Sequence, residues 1–370
     1  MSSGIAKQAE RYRVTVEQYI GFRRNGFLIV PGLVSEQEVE ELRQHTEDLM
    51  QGKLPQQTRQ MNDRDLSKDH GILMQSLEAP PAHLSAAEKA QYFLRIHMLH
   101  RKLELHERYL LHPRVLDVLE VIIGPDVLAM QTMLFLKPPG KPGQGWHQDS
   151  YYIPTHPDTL CGAWIAIDDC DEINGAMWFA KGSGAEPVYP PCPDNPYGFG
   201  DKLVSDILHV KGVSNTDDSV NMLTPVAEKY DQVLAPARAG DVVFFNGHVL
   251  HRSKTNHSTD RFRRAFVSHY CNARSFTQWG ADDQSELEIS PSKDPTTGST
   301  NGSHILARGD THLHFANPRF GTPCAALLPP QERRRQSDHA MRAIASMNDG
   351  LMGCAIADPT VEEKESGAGY

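Results

Sequence analysis

The chain contains the apolar run Val127-Leu128-Ala129-Met130-Gln131-Thr132-Met133-Leu134-Phe135-Leu136, which stops at Pro138-Pro139-Gly140 and is followed by Trp146-His147-Gln148-Asp149. The composition of the run predicts a mostly buried β-strand. The tetrapeptide places an imidazole and a carboxylate two positions apart. On a strand both side chains would point to the same face and could bind one metal ion. His147 and Asp149 are therefore the first candidate metal ligands.

Strand-like segments dominate the chain from 127 to 272. They include the apolar runs 162–168 and 242–245 and the segment 264–271, after which the strand pattern becomes weak. Residues 185–230 break the pattern because they are rich in proline, glycine, aspartate and asparagine. This composition predicts a long insertion.

The segment before residue 127 is mainly helical in pattern. Ser35, with Glu38 three positions on, has the sequence of a capping box at a helix start. The helices we expect cover residues 15–24, 35–50, 85–111 and 113–123, with a short strand at 27–30. Residues 51–80 are polar and charged and predict a loop or lid.

Helices followed by many short strands predict a mainly β fold with flanking α-helices, built on a barrel or jelly roll. We expect one domain over residues 1–275, with N-terminal helices in 9–125 and a β core in 127–272 that contains the insertion. A C-terminal extension, 276–370, follows. It is expected to be partly helical, near 331–347, and disordered at its end.

The composition limits the classes of function. Hydrophobic residues make up 39% and charged residues 23% of the 370, as in ordinary globular proteins. The formal net charge of −10 argues against nucleic-acid binding. There is no apolar run long enough for a membrane span and no secretory signal at the N-terminus. The six cysteines are scattered, so we expect reduced thiols and a cytoplasmic protein.

A third metal ligand is offered by the segment 247–256, which contains both His248 and His251. The two are three positions apart, so on a strand they face opposite sides and only one can serve. Two histidines and one carboxylate form the facial triad of non-haem Fe(II) oxygenases, which leaves three coordination positions open.

A co-substrate site is indicated by polar residues near this segment. Ser253 shares a strand face with His251, and Arg263 and Arg264 begin the next strand on opposite faces. A guanidinium can hold a dicarboxylate through paired hydrogen bonds, with a serine hydroxyl adding another. Taken alone, each of these histidine and arginine residues is more often packed in the core or solvated than part of a site. The complete set in this order is much less expected by chance than any one of its members.

The chain resembles the phytanoyl-CoA dioxygenase family of Fe(II)/2-oxoglutarate oxygenases, which includes ectoine hydroxylases. The resemblance covers about residues 16–272. The segments that carry it are Gly26 to Gly32, Met130 to Leu134, Lys137-Pro138-Pro139, His147-Gln148-Asp149, Ala163-Trp164, Asn174-Gly175-Ala176, Gly240 to Phe245, His251-Arg252-Ser253, Asn256 and Phe262 to Ala265.

The resemblance implies a double-stranded β-helix core, of the jelly-roll or cupin-like kind. It assigns iron to His147, Asp149 and His251, and the carboxylate of 2-oxoglutarate to Arg263 and Ser253. Trp164 and Met133 match positions that line the co-substrate pocket. Most family members have one residue fewer between the distal histidine and the arginine, so Arg264 remains an alternative anchor.

The reaction implied is oxidation of a C–H bond by O2, with 2-oxoglutarate converted to succinate and CO2. In related halogenases a small residue replaces the carboxylate, so Asp149 favours hydroxylation or another oxidation over halogenation. Aromatic residues at 146, 151 and 152 and in the run 177–179 could line a substrate pocket or pack in the core. There is no concentrated basic patch for a CoA thioester, so we expect a small free metabolite as the substrate.

Two other functions fit part of this pattern. A metal-binding, cupin-like isomerase or ligand-binding protein would keep His147, Asp149 and His251 but would not need a positioned arginine and serine. A structural zinc site is disfavoured because such sites have four closed ligands. The oligomeric state is left open by the sequence.

Overall fold

A computed structural model describes residues 11–54, 81–92, 95–97, 99–101, 103–189, 212–275, 304–309 and 322–323. Its helices are α1 (Val16–Asn25), α2 (Glu36–Met50), α3 (Ala86–Ala90), α4 (Glu104–Leu110), α5 (Pro113–Ile122) and α6 (Thr224–Ala227). Its strands are β1 (Phe27–Val30), β2 (Arg95–His97), β3 (Val127–Lys137), β4 (Gln144–His147), β5 (Cys161–Ala166), β6 (Met177–Ala180), β7 (Gln232–Ala235), β8 (Val242–Asn246), β9 (His251–Ser253), β10 (Arg263–Asn272), β11 (Ile305–Arg308) and β12 (Thr322–Pro323).

The first two helices begin at capping boxes. The side chain of Ser35 accepts a hydrogen bond from the backbone of Glu38, and the side chain of Glu38 bonds back to the backbone of Ser35. Thr15 does the same for α1. Helix α1 ends at Gly26, with φ of 84°, where a Cβ atom would lie 2.8 Å from Val249. These helices are confirmed where the sequence predicted them.

The expected helix over 85–111 is wrong as a single element. It is divided into α3, the strand β2, a short 3-10 turn and α4. Strand β2 pairs antiparallel with β3, with Arg95 opposite Phe135. Pairing with a long core strand overrides the local helical preference, because the sheet supplies backbone partners that sequence pattern does not reveal.

Two antiparallel sheets form the core. The larger has the order β1-β8-β5-β10-β3-β11-β12, with β2 also paired to β3, and the smaller has the order β4-β9-β6-β7. The expected mainly β jelly roll with flanking helices is confirmed. The core sheet is wider than the expected range 127–272, because β1 and β2 precede that range and β11, from the expected C-terminal extension, pairs with β3.

The larger sheet has two apolar faces. On one face, Phe244 and Phe266 pack in a cluster with Leu42 of α2 and Leu116 of α5. On the other, residues of both sheets share a cluster, in which the rings of Phe245 and Phe179 lie 5.8 Å apart. Full burial of such side chains contributes about 1.5–3 kcal/mol each. The sheet is thus held between helices and the smaller sheet, and its inner face reaches the candidate site.

Several predictions concern segments outside the described residues. They are most of the lid expected at 51–80, residues 190–211 of the insertion, the helix near 331–347 and the C-terminal end. Among the residues described, no helix is long and apolar enough to cross a membrane. The described cysteines, Cys161, Cys170 and Cys271, are buried.

Candidate metal centre

Three side chains converge where the smaller sheet meets the inner face of the larger one. His147 ends β4 and His251 begins β9, and the two residues are paired across these strands. The Nε2 atoms of His147 and His251 lie 3.6 and 3.7 Å from Oδ1 of Asp149. The three ligand atoms are all within 4.8 Å of one another, so the group could hold a metal ion.

Asp149 does not lie on the strand, as the sequence pattern had suggested. It begins a short 3-10 turn, Asp149–Tyr151, directly after β4. Gln148, between the two ligands, keeps an extended backbone with φ of −121° and ψ of 132°. The expected sharing of one face therefore holds, because the chain stays extended up to Asp149.

Backbone carbonyls orient both histidines. Nδ1 of His147 donates to the carbonyl of Gly145 at 2.8 Å, and Nδ1 of His251 donates to that of Val249 at 3.0 Å. Each Nε2 lone pair is then directed toward Asp149. Burial, with the neighbouring His251, lowers the pKa of His147 to about 3. The ring is neutral at ordinary pH, which is the form that binds a metal.

A fourth side chain, which sequence reasoning missed, contacts Asp149. Nε2 of His269 lies 2.7 Å from Oδ2 of Asp149, and Nδ1 of His269 lies 2.9 Å from Nε2 of Gln131. Burial would raise the pKa of Asp149, but His251 and His269 lower it overall, so the carboxylate is ionised. The signal in the sequence was the even spacing from Arg263 to His269 on one strand, which places both on the same face.

His248, the alternative third ligand, lies outside this group. Its Nε2 atom pairs with the carboxylate of Asp158, and its Nδ1 atom donates to the carbonyl of Glu186 at 2.7 Å. His248 lies in the turn between β8 and β9, and of these two histidines only His251 lies near the carboxylate of Asp149.

Arg263 and Arg264 have different surroundings. Arg264 bonds to Asp168 at 2.8 Å and to Glu47 at 3.0 Å, which ties β10 to helix α2. Arg263 is 3% exposed, and its Nε atom has no hydrogen-bond partner among the described residues. Its guanidinium lies 5.9 Å from the ring centre of Phe135 and 5.8 Å from that of Trp164. Burial lowers the pKa of Arg263 to about 10, so it still carries its charge at neutral pH.

Ser253 lies beside a second buried cation. Its Oγ accepts from Nζ of Lys137 at 3.2 Å and from the backbone of Gln144 at 3.3 Å. Lys137 is opposite Arg263 in the pairing of β3 and β10. Burial, and then the charge of Arg263, hold the pKa of Lys137 well below its usual value. A carboxylate bound here would favour the charged forms of both side chains.

Met133 and Trp164 lie in the same cross-strand row. Both are paired with Val267, Met133 from β3 and Trp164 from β5. Trp146, one of the expected pocket aromatics, is fully buried, with the Arg252 guanidinium 4.5 Å from its ring. Trp146 is therefore a core residue. The ring of Tyr152 lies beside the metal group, 6.3 Å from that of His147.

The chain is similar to known proteins over this core. The family model for phytanoyl-CoA dioxygenase (PhyH) matches residues 22–265. The peroxisomal phytanoyl-CoA dioxygenase of Bos taurus is 28% identical over 265 residues, which cover 70% of this chain and 69% of the relative.

Two solved structures from nogalamycin biosynthesis have a similar fold. The carbocyclase SnoK has a TM-score of 0.51 and 19% identity, covering 75% of this chain and 91% of that one. The epimerase SnoN, in complex with Fe3+, alpha ketoglutarate and nogalamycin RO, has a TM-score of 0.51 and 19% identity, covering 70% and 84%. Because the family match spans most of the sequence, the chain belongs to the phytanoyl-CoA dioxygenase family and is a 2-oxoglutarate-dependent dioxygenase that uses Fe(II) and O2.

Proposed function

We propose that the chain hydroxylates an unactivated C–H bond of a small metabolite at an iron centre held by His147, Asp149 and His251. The observation that carries this proposal is the convergence of two imidazole nitrogens and one carboxylate oxygen within 4.8 Å. With iron and 2-oxoglutarate bound, the centre supplies oxidation of the substrate by O2, and succinate and CO2 are released. The protein residues bind and orient the reactants.

The donor set fits Fe(II). Two neutral imidazoles and one carboxylate are the protein ligands of non-haem iron oxygenases, and they leave three positions open. A 2-oxoacid and O2 would use those open positions. A structural zinc site would need a fourth ligand. In the described part of the chain, the group consists of these three residues alone.

The co-substrate carboxylate is assigned to Arg263 and Ser253. Arg263 is buried and makes no ion pair with a described carboxylate, so a bound anion would compensate its charge. Ser253 accepts hydrogen bonds from Lys137 and Gln144, and its own hydroxyl hydrogen is therefore available to a ligand carboxylate. Arg264 is already paired with Asp168 and Glu47, which supports Arg263 as the anchor.

Trp164 and Met133 are proposed as walls of the co-substrate pocket. The Trp164 ring lies near the Arg263 guanidinium and restricts its position. Met133 is half-buried at the same level of the sheet. Apolar side chains in these positions would exclude water from the contact between the co-substrate carboxylate and the Arg263 guanidinium. The exclusion of water strengthens the electrostatic attraction between these two groups.

We propose a free metabolite rather than a CoA thioester as the substrate. Lys137, which precedes the metal-binding tetrapeptide in the sequence, is buried and donates to the carbonyl of Lys254 at 2.6 Å as well as to Ser253. It is therefore not available to a CoA phosphate. The net charge of −10 also disfavours a polyanionic ligand.

The test is anaerobic reconstitution with Fe(II) and 2-oxoglutarate, followed by a screen for compounds that trigger succinate release in air. One arm contains free small metabolites and the other contains acyl-CoA thioesters. We expect triggering in the first arm and a hydroxylated product equal in amount to the succinate formed. Turnover that is equally fast with and without 2-oxoglutarate would falsify the oxygenase assignment, and triggering only by thioesters would overturn the substrate class.

A further inference from the structure

We infer that His269 is a positioning residue that holds Asp149 so that only one carboxylate oxygen faces the metal position. The inference rests on the proposed function of this site. His269 is neither one of the proposed metal ligands nor one of the proposed co-substrate anchors.

The two oxygens of Asp149 have separate partners. Oδ1 faces Nε2 of both His147 and His251, at 3.6 and 3.7 Å. Oδ2 is 2.7 Å from Nε2 of His269, a hydrogen-bonding distance. The carboxylate is thus oriented before any metal binds, with one oxygen directed to the ligand group and the other engaged by the larger sheet.

Hydrogen-bond chemistry determines the direction of this contact. An ionised carboxylate only accepts, so Nε2 of His269 carries the hydrogen. Nδ1 then accepts from the amide nitrogen of Gln131 at 2.9 Å, which stabilises this tautomer. Gln131 and His269 are 2% and 1% exposed, so water does not compete for either bond.

The sheet also fixes the His269 ring. His269 and Gln131 are directly opposite in the pairing of β10 and β3, and the register shifts immediately after His269. On the other side, Phe245 lies edge-on to the ring, with centroids 6.4 Å apart. The Phe245 ring needs Gly162 beneath it, because a Cβ atom there would lie 2.4 Å from the ring. His269 is therefore held on both sides.

The contact with His269 determines how many oxygens of Asp149 can reach the metal. Without His269, Oδ2 would be free to approach the metal, and the carboxylate could rotate or bind through both oxygens. A second oxygen would compete for one of the three positions that 2-oxoglutarate and O2 require. Hydrogen-bonded partners of metal ligands commonly contribute about 10–100-fold to metal affinity.

The test compares His269→Leu, which removes the donor, with His269→Gln, whose amide can donate from a similar position. Anaerobic titration with Co(II) or Fe(II) measures metal affinity, and 2-oxoglutarate binding is measured on the metal-saturated proteins. We expect His269→Leu to lose about 10–100-fold in metal affinity and to bind 2-oxoglutarate more weakly. His269→Gln should retain most of both, and Gln131→Leu should show a smaller loss in the same direction.

Tyr270→Phe is the matched control. Tyr270 is the next residue on β10, and its hydroxyl donates to the carbonyl of Leu110 at 2.8 Å, on the helix side of the sheet. Its variant should be less stable but should bind metal normally. The inference is overturned if His269→Leu keeps wild-type metal affinity, if His269→Gln loses as much as His269→Leu, or if Tyr270→Phe loses as much as either. Those results would leave the proposed function standing, which fails separately if the wild-type protein binds no Fe(II).

Discussion

His147 and His251 are oriented by the same local contact. Each donates its Nδ1 hydrogen to the carbonyl two residues before it, and the two rings lie 4.1 Å apart across paired strands. Their Nε2 atoms are therefore directed to one point beside Asp149 without help from any ligand. Such pre-orientation reduces the ordering that metal binding would otherwise require.

Metal binding should raise stability through His251 but not through His248. At a free Fe(II) or Co(II) concentration of about 100 times Kd, linkage predicts a gain of about 2.7 kcal/mol in the free energy of unfolding. His251→Ala should abolish this gain, whereas His248→Ala should keep it, because His248 pairs with Asp158 instead. Anaerobic thermal or urea unfolding with and without metal measures the difference. Loss of the gain in His248→Ala alone would contradict the assigned ligand set.

Substitution of Arg263 should weaken 2-oxoglutarate binding, while substitution of Arg264 should not. A hydrogen bond to a charged group contributes about 1.5–3 kcal/mol, which corresponds to about a 10–150-fold increase in the dissociation constant of 2-oxoglutarate for Arg263→Met. Arg264→Met should instead lower stability, because Asp168 and Glu47 lose their partner. Equilibrium binding to the Fe(II)-loaded proteins under anaerobic conditions separates the two. Equal losses in both variants would contradict Arg263 as the specific anchor.

Stability should fall as the pH drops below about 6.5, the ordinary pKa of histidine. Burial holds the pKa values of His97 and His106 well below 6.5 in the folded chain. Between the folded and unfolded pKa values the unfolded chain binds more protons, so the stability present above 6.5 is lost on acidification. At about one pH unit below 6.5, each such histidine removes about 1.4 kcal/mol.

Urea unfolding at several pH values measures this slope. His106→Leu should reduce it, because one buried neutral histidine is removed. Phe266→Leu is the control, since the Phe266 ring lies 5.3 Å from that of His106 but does not titrate. It should lower stability equally at every pH. An unchanged slope in His106→Leu would show that this residue does not contribute to acid sensitivity.

Gly145→Ala should damage both the fold and the metal group. A Cβ atom at Gly145 would lie 1.6 Å from the backbone oxygen of Asn215, so the backbone of one of these two segments must move. We expect a loss of about 1–3 kcal/mol from overpacking and weaker metal binding, because Gly145 also supplies the carbonyl that orients His147.

Gly21→Ala is the same chemical change in an open position of α1, where no atom lies within 4 Å of the added Cβ. It should raise stability by about 0.5–1 kcal/mol through helix propensity. Unfolding and metal titrations on both variants provide the comparison. Wild-type metal affinity in Gly145→Ala would mean that the His147 segment tolerates displacement.

Local features of the sequence were sufficient for several elements. The capping box at Ser35 marks a helix start because its hydrogen bonds join residues only three positions apart. Strands β3 and β8 were predicted from their apolar runs. A strand that is buried on both faces has nearly continuous apolar residues, which are visible in the local sequence. Strand β2 was not predicted, because it is stabilised by pairing with β3, which is distant in the chain.

The sequence by itself determined the types of residue available: the histidine and aspartate pair at 147 and 149, the histidine at 251, and the family resemblance that relates them. The residue spacing alone left His248 and His251 as alternatives, and the resemblance left Arg263 and Arg264 open. The tertiary structure gives the members of each pair different surroundings: His251 lies beside Asp149 and His248 beside Asp158, while Arg263 lies near Trp164 and Arg264 pairs with Asp168. These differences arise because side chains alternate along β10 and because His248 lies in the turn that follows β8. The tertiary structure also brought His269 to Asp149, a contact 120 residues apart in sequence that depends on the register of two sheets.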